Sequence, residues 1–192
     1  MTDLPLAMSA PEPESAACPS LVLMGVAGCG KTTLGELLAH ELGAAFVEGD
    51  TFHPAANIAK MAAGQPLTDE DRAGWLEALA GRLREARIGH EPVVLACSAL
   101  KRRYREVLRS GDPGLKLVFL KGERGLIAER LGGRTGHFMP ASLQDSQFRD
   151  LEEPAADEDC LTCDPARPPQ DNVRRVADWL TGGSYNEPRS GN

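Results

Sequence analysis

The sequence is poor in positive charge, because acidic residues outnumber basic ones. It contains 28 Asp and Glu against 21 Lys and Arg, which gives a formal net charge of −7. General nucleic-acid binders and proteins of anionic membrane surfaces need net or strongly clustered positive charge. Both classes are therefore excluded as general functions, and no nucleic-acid partner is expected. A local basic cluster can still hold an anionic ligand.

Long hydrophobic runs are also absent, since no stretch of the 192 residues approaches the length of a membrane span. The first residues lack a basic segment followed by an apolar core, so no secretory signal is predicted. We therefore expect a cytoplasmic location and no membrane partner. The length suits one domain with a full hydrophobic core.

Cysteine is scarce and odd in number. The five cysteines have the irregular spacing of a poor disulfide framework, and they are Cys18, Cys29, Cys97, Cys160 and Cys163. Cys160 and Cys163 have C-x-x-C spacing, which leaves a metal or redox site open, although zinc would need a second ligand pair at a telling spacing. We favour a short strand with structural thiols.

The most informative feature that is present is a glycine-rich loop, because residues 25–32 read G-V-A-G-C-G-K-T. This is the complete G-x-x-x-x-G-K-T pattern of a phosphate-binding loop. An apolar strand, 21–24, precedes it, and a helix with regularly spaced leucines, 31–42, follows it. The loop therefore lies at a helix N-terminus, where the dipole favours a phosphate. The predicted nucleotide-binding residues are Gly25, Val26, Ala27, Gly28, Cys29, Gly30, Lys31, Thr32 and Thr33.

Two side chains of this loop have predicted roles of their own. Lys31 can reach the β- and γ-phosphates of ATP as a point charge, and we predict it to be catalytic. Thr32 offers a hydroxyl to Mg²⁺ and is the predicted metal ligand. The loop alone indicates only a nucleoside triphosphate. A GTPase would usually carry Asn-Lys-x-Asp for guanine, and this sequence has none.

The body of the chain alternates strand and helix signals, which predicts an α/β fold with a parallel five-stranded sheet flanked by helices. Predicted strands cover 21–24, 45–48, 93–97, 115–120 and 160–163. Thr68 is a predicted N-cap, and Pro140 and Pro169 are predicted to open two later helices. We expect a disordered leader at 1–19, a folded domain at 20–181 and a flexible tail at 182–192.

Several short motifs, in order along the chain, resemble those of the gluconate kinase family. They are Gly49-Asp50 with His53-Pro54, Asn57-Ile58 with Lys60-Met61, Gly64 to Asp69, Asp71-Arg72 with Trp75-Leu76, Cys97 to Lys101 with Tyr104-Arg105, Arg130-Leu131, Arg134 with Gly136-His137-Phe138, Gln147-Phe148, and Leu151 to Pro154. Each motif is weak alone, but the match runs from about Leu21 to Leu180.

This resemblance implies ATP-dependent phosphorylation of the 6-hydroxyl of D-gluconate, which gives 6-phospho-D-gluconate and ADP. It also implies a P-loop kinase fold similar to that of nucleoside monophosphate kinases, with a mobile helical lid, and a homodimer. Two alternatives stay open. One is a related kinase that acts on another polyol acid, on shikimate or on a nucleotide, and the other is a nucleotide-binding regulator without turnover.

The acceptor site is predicted beyond the carboxyl ends of the strands, where ligands bind in open parallel sheets. Asp50, after the second strand, is predicted to hold the acceptor hydroxyl, either directly, as a base, or through the water shell of the metal. Its structural alternative is a loop cap. His53 either donates to a substrate hydroxyl or orders the turn before Pro54, and Lys60 is a further predicted substrate ligand.

Basic side chains near these strand ends are predicted to bind the substrate carboxylate. Arg72 stands in the first turn of a helix, where its charge opposes the dipole, and this favours an anion-binding role. Lys101 and Arg105 follow Ser98 with i, i+4 spacing, so we expect the three residues to line the site and the two basic side chains to share a helix face. The alternative is a solvated basic face.

Residues from about 130 to 148 are predicted to form the lid, since glycines there suit a hinged segment. Arg130 and Arg134 are predicted catalytic residues that stabilise charge on the phosphates when the lid closes. A surface helix with solubilising arginines is the alternative. The resemblance adds His137 and Gln147 as substrate-binding residues.

Two departures from the expected patterns bear on the phosphates and the metal. Cys29 stands where many relatives have Ser, and we expect little effect because its backbone N–H does the binding. The third strand ends in Ala96-Cys97-Ser98 and lacks the usual Walker-B Asp. Mg²⁺ must therefore rely on Thr32, phosphate oxygens, water and, in one of its alternative roles, Asp50.

Overall fold

A parallel sheet of five strands forms the centre of the protein, as the sequence predicts. The computed structural model describes residues 19–132 and 141–182. The strand order is β2-β3-β1-β4-β5, and every neighbouring pair is parallel. The strands are β1 (Leu21–Met24), β2 (Ala45–Glu48), β3 (Val93–Ala96), β4 (Lys116–Leu120) and β5 (Cys160–Cys163).

Seven helices of the described residues flank this sheet. They are α1 (Lys31–Leu42), α2 (Ala55–Ala62), α3 (Asp69–Gly89), α4 (Arg102–Gly111), α5 (Arg124–Gly132), α6 (Ala141–Asp150) and α7 (Pro169–Leu180), with short 3₁₀ turns at Gly49–Phe52 and Ala156–Glu158. The sequence analysis missed α2. It spans only eight residues, and a run this short gives a weak periodic signal.

The sheet separates two hydrophobic cores because side chains alternate along its strands. Val22 and Met24 of β1 face a core formed with α3 and α4, whereas Leu21 and Leu23 face a core formed with α1 and α7. All four of these residues have no exposed surface. β1 is therefore buried on both faces, which makes it a rigid support for the loop that follows it.

The first turn of α3 is fixed by a capping box at Thr68, which confirms the predicted N-cap. Thr68 Oγ1 accepts from the backbone N–H of Asp71 at 3.2 Å, and Asp71 Oδ2 accepts from the N–H of Thr68 at 2.9 Å. Such a cap contributes about 1 kcal/mol. It also fixes the backbone from which the side chains of Asp69 and Arg72 project.

Most of the predicted leader and tail lies outside the described residues, which include only Pro19 of the one and Gly182 of the other. Residues 133–140, within the predicted lid, also lie outside them. In the segments 19–132 and 141–182, no helix is long and apolar enough to cross a membrane.

Candidate active site

The phosphate-binding loop connects β1 to α1 in a backbone conformation that requires glycine. Gly25, Gly28 and Gly30 have φ values of 143°, 83° and 99°. A Cβ added at Gly25 would lie 2.9 Å from Leu120 O, so a side chain there would collide with backbone. Gly30 is the N-cap of α1 and supplies no side-chain cap, which leaves the first N–H groups of the helix to an anion.

Lys31 lies over this loop, since its Nζ donates to the carbonyls of Gly25 and Val26, both at 3.1 Å. The N–H of Gly25 donates to the carbonyl of Ser98 at 3.2 Å. This bond joins the loop to the end of β3, the neighbouring strand. Ser98, one of the predicted site residues after β3, thus contacts the phosphate loop through its backbone carbonyl.

A carboxylate lies beside the predicted metal ligand. Thr32 Oγ1 donates to Glu48 Oε2 at 2.8 Å. A hydroxyl and a carboxylate suit Mg²⁺, which prefers oxygen and keeps several waters. No group of three or more His, Cys, Asp or Glu side chains that could hold a metal occurs among the described residues. The sequence analysis missed Glu48, although its place at the carboxyl end of β2 is a usable signal.

Asp50 and His53 lie together beyond β2. The side chain of Asp50 is 75% exposed, and its Oδ1 lies 3.9 Å from His53 Nε2. The His53 ring stacks on Trp75 with 4.2 Å between ring centroids. Burial lowers the pKa of His53, the charge of Asp50 opposes this shift, and Arg72 adds to it. His53 is therefore held neutral.

The tautomer of His53 follows from its neighbour Asn57. Asn57 Nδ2 donates to the carbonyl of Asp71 at 2.7 Å, which identifies that atom as the amide nitrogen. The same nitrogen lies 3.4 Å from His53 Nδ1. Nδ1 is thus the acceptor and Nε2 carries the proton, on the side that faces Asp50.

Arg72 carries a buried donor without a partner. Its Nε makes no hydrogen bond within the described residues. Its guanidinium lies 5.8 Å from the centroid of the Tyr104 ring. An unsatisfied buried donor is costly unless a ligand pairs with it. This placement agrees with the predicted anion-binding role.

Cys97 directly follows β3 and is buried. Burial raises the pKa of Cys97 to about 12, and the charges of Asp50, Lys31 and Arg72 act on the same thiol. This thiol is therefore protonated near neutral pH.

Two other predicted ligands are held by carboxylates. Lys60 Nζ lies 2.6 Å from Asp71 Oδ1, and Lys101 Nζ lies 3.0 Å from Asp69 Oδ1. Asp69 also accepts from Tyr104 and Arg103. The bond from Tyr104 and then that from Lys101 lower the pKa of Asp69 to about 2. Asp69 and Tyr104 were missed by the sequence analysis.

Arg105 is not at this site, and the prediction that it meets a substrate carboxylate is wrong. Its side chain has no exposed surface. Its Nε and Nη2 donate to Glu158 at 2.6 and 2.8 Å, and Nη1 donates to the carbonyls of Ala99, Leu100 and Glu152. The physical reason is that Arg105 lies on the buried face of α4, where Glu158 and three backbone carbonyls bind its guanidinium.

The described ends of the predicted lid lie against the phosphate loop. Arg130 Nη2 donates to the carbonyl of Pro165 at 2.6 Å, and its Nη1 is 3.8 Å from the position of a Cβ at Gly30. Gln147 Oε1 accepts from the backbone N–H of Ala27 at 2.6 Å. Arg134 and His137 lie outside the described residues.

A cavity of about 260 Å³ adjoins the same loop. Its walls come from the start of α1, the end of β4, α5 and the connection from β5 to α7, and they include Gly30, Leu120, Arg130, Pro165 and Asn172. β4 and β5 lie on one side of β1, and β3 and β2 lie on the other. Ser98 follows β3 and Asp50 follows β2. The loop therefore separates two binding regions at the point where the strand order reverses, which is the usual ligand position in this class of sheet.

The C-x-x-C pair lies in β5, as predicted. Cys163 is buried and Cys160 is partly buried. Burial raises the pKa of both thiols to about 11. Both are thus protonated near neutral pH, which is the inert form.

The chain is similar to known kinases over most of its length. A family model described as shikimate kinase matches residues 27–164. The thermoresistant gluconokinase of Escherichia coli is 45% identical over 163 residues, which cover 84% of this chain and 93% of that protein. The gluconokinase of Gluconobacter oxydans is 54% identical over 139 residues, covering 72% and 78%. The crystal structure of a gluconokinase from Sinorhizobium meliloti matches with a TM-score of 0.79 and 46% identity, over 86% of this chain and 93% of that one.

Proposed function

Because the chain belongs to the gluconokinase family, we propose that it transfers the γ-phosphoryl group of ATP to the 6-hydroxyl of D-gluconate. The products are 6-phospho-D-gluconate and ADP. The observation that carries this proposal is the phosphate loop itself, whose carbonyls hold Lys31 and whose Gly25 N–H is bonded to the carbonyl of Ser98 after β3. A phosphate-binding cation, a hydroxyl-binding carboxylate and a carboxylate-binding cation are the groups that this reaction needs.

The acceptor binds between Asp50 and Arg72. Asp50 accepts a hydrogen bond from the 6-hydroxyl and keeps it in line with the γ-phosphate. His53 donates from Nε2 to a hydroxyl of the chain of gluconate. The guanidinium of Arg72 pairs its unused donor with the gluconate carboxylate, and charge-assisted bonds of this kind are the strong ones.

On the nucleotide side, Lys31 and the N–H groups at the start of α1 bind the phosphates, and Arg130 adds positive charge beside Gly30. These groups stabilise the charge that spreads over the transferring phosphoryl group. Thr32 and Glu48 would hold Mg²⁺, which neutralises phosphate charge when bound. The catalytic role of Arg134 and the substrate-binding role of His137 stay predictions. The homodimer, the domain bounds and the cytoplasmic location also stay predictions.

The test is a coupled assay of ADP release with D-gluconate, glucose, shikimate and nucleoside monophosphates as acceptors. We expect turnover with gluconate and little with the others. Turnover of shikimate without gluconate would favour the other acceptor that the family model suggests. Absence of turnover with every acceptor, while ATP still binds, would indicate a regulator. Lys31→Ala should abolish transfer, and a near-normal kcat in this variant would contradict the role of the loop.

A further inference from the structure

Asn172 has a buried hydrogen-bond acceptor that the described residues do not satisfy. It lies in the first turn of α7 and is 2% exposed. Its Nδ2 donates to the carbonyl of Asp164 at 2.8 Å. Because a carbonyl can only accept, this bond identifies the amide nitrogen and leaves Oδ1 as the free atom. Oδ1 is buried and has no partner within the described residues.

Asn172 lines the cavity on the β4–β5 side of the phosphate loop, together with Gly30, Arg130 and Pro165. Asp50, which is proposed to bind the acceptor, follows β2 on the opposite side of β1. A nucleotide whose phosphates lie on the loop must therefore extend its nucleoside into this cavity. Asn172, a buried polar residue that lines this cavity, is placed to contact the base.

We propose that Asn172 Oδ1 accepts a hydrogen bond from the 6-amino group of adenine and selects ATP over GTP. Adenine has an N–H donor at this ring position, whereas guanine has an acceptor, O6. Two acceptors face to face leave both unpaired, and sites built around a hydrogen bond reject ligands that lack the complementary group. This inference rests on the proposed function, because it assigns the cavity to the nucleoside of the phosphoryl donor.

The local structure keeps this acceptor in place. The carbonyl of Asp164 also accepts from the N–H of Arg167 at 3.3 Å, and Asp164 Oδ1 accepts from the N–H of Ala166 at 2.8 Å. The bond from Asn172 thus fastens α7 to a short ordered turn after β5. The side chain is preorganised, so little conformational entropy is lost when the base binds.

The experiment compares ATP with purine riboside 5′-triphosphate, which lacks only the amino group, by calorimetric binding to the full-length protein. We expect loss of the amino group to weaken binding about tenfold, as for one buried hydrogen bond. In Asn172→Leu, which is close in shape but has no acceptor, the two affinities should differ by less than about twofold. Equal binding of both nucleotides to the unaltered protein overturns the proposal, whatever the variants do.

Two controls separate a contact with the base from a purely structural role. If Asn172 only fastens the turn, Asn172→Leu weakens both nucleotides alike and their ratio persists, which also overturns the proposal. Asn172→Asp keeps acceptor oxygens but loses the donor to Asp164, so the preference for the amino nucleotide should survive in it. Turnover of gluconate is measured separately with ATP. Selective nucleotide binding without turnover overturns only the proposed function, and turnover with equal binding overturns only this inference.

Discussion

The backbone N–H of Ala27 donates to Gln147 Oε1 at 2.6 Å, so a side chain of α6 is bonded directly to the phosphate loop. Position in this loop decides how the phosphates meet the acceptor, and small displacements reduce the rate strongly. We therefore expect Gln147→Ala to lower kcat about tenfold, which corresponds to one lost hydrogen bond of about 1.4 kcal/mol. Steady-state kinetics with both substrates varied would measure this. Gln144→Ala, one turn earlier on α6, is the matched control, and equal rates in the two variants would contradict the prediction.

Replacement of Arg105 should damage stability and leave substrate affinity almost unchanged. Arg105→Met leaves the buried carboxylate of Glu158 with only the N–H of Ala155 and the more distant Arg109, and breaking a buried pair costs about 3–5 kcal/mol. The double variant Arg105→Met/Glu158→Leu should recover much of that loss. Urea unfolding measures these changes. Arg102→Met, which removes the exposed pair with Asp157, is the control and should have a much smaller effect. A stable Arg105→Met with a raised KM for gluconate would restore the substrate role.

Arg72 should behave in the opposite way. Since its Nε has no partner within the described residues, Arg72→Met removes no hydrogen bond of that atom and should leave the melting temperature nearly unchanged. The KM for gluconate should rise about 10- to 100-fold, because a charge-assisted bond contributes about 1.5–3 kcal/mol. The KM for ATP should stay within about twofold of its value in the unaltered protein, because the variant loses a contact with gluconate only. Arg103→Met is the control, because Arg103 lies 5.6 Å from the centroid of the same ring and its side chain is 55% exposed. A rise in the KM for ATP alone would argue against carboxylate binding.

Glu48 should influence the magnesium requirement. Glu48→Gln keeps the shape of the side chain beside Thr32 but removes its charge. We expect the Mg²⁺ concentration for half-maximal activity to rise about tenfold, the typical size of an effect from a weakened ligand set. Titration of activity with MgCl₂ at fixed ATP would measure it. Glu36→Gln, on the exposed face of α1, is the control and should leave that concentration unchanged. An unchanged Mg²⁺ requirement in Glu48→Gln would contradict a part for Glu48 in metal binding.

The lowered pKa of His53 makes stability depend on pH in a defined direction. Below its ordinary value, about 6.5, the unfolded state binds more protons at this residue than the folded state does. The contribution of His53 is therefore fully present above pH 6.5, and it falls as the pH decreases towards the folded pKa, by at most about 1.4 kcal/mol per pH unit.

Urea unfolding of the unaltered protein and of His53→Gln at pH 5.5, 6.5 and 7.5 would test this dependence. The unaltered protein should lose more stability between pH 6.5 and 5.5 than the variant does. His90→Asn is the control, because His90 is exposed and Asn tolerates its left-handed backbone with φ of 54°. Parallel pH curves for the unaltered protein and His53→Gln would show that His53 is not held neutral by the fold.

The local features of this protein could be predicted from sequence, and the long-range ones could not. β1, α1, β2 and β5 have the predicted bounds because short apolar strands, regular leucines and glycine stops are signals within a few residues. The phosphate loop is equally local, since its function depends on consecutive backbone groups. The pair of Arg105 with Glu158 joins residues 53 positions apart, and no pattern in the sequence connects them.

The error at Arg105 also has a local cause. The spacing predicted that Lys101 and Arg105 share a face, but it could not show that this part of α4 is buried at Arg105. Asn172 could not be recognised at all, because an unused acceptor becomes visible only when the surrounding donors are placed.

Arg72 Nε and Asn172 Oδ1 have each been removed from water without a partner within the described residues. The folded chain has thus already lost the hydration of a donor for the sugar acid and of an acceptor for the base. A ligand that pairs with either atom favours the folded state over the unfolded one by mass action. We expect the amount of intact protein in a cell to follow the supply of its two substrates, because an unliganded chain opens more often and is degraded sooner.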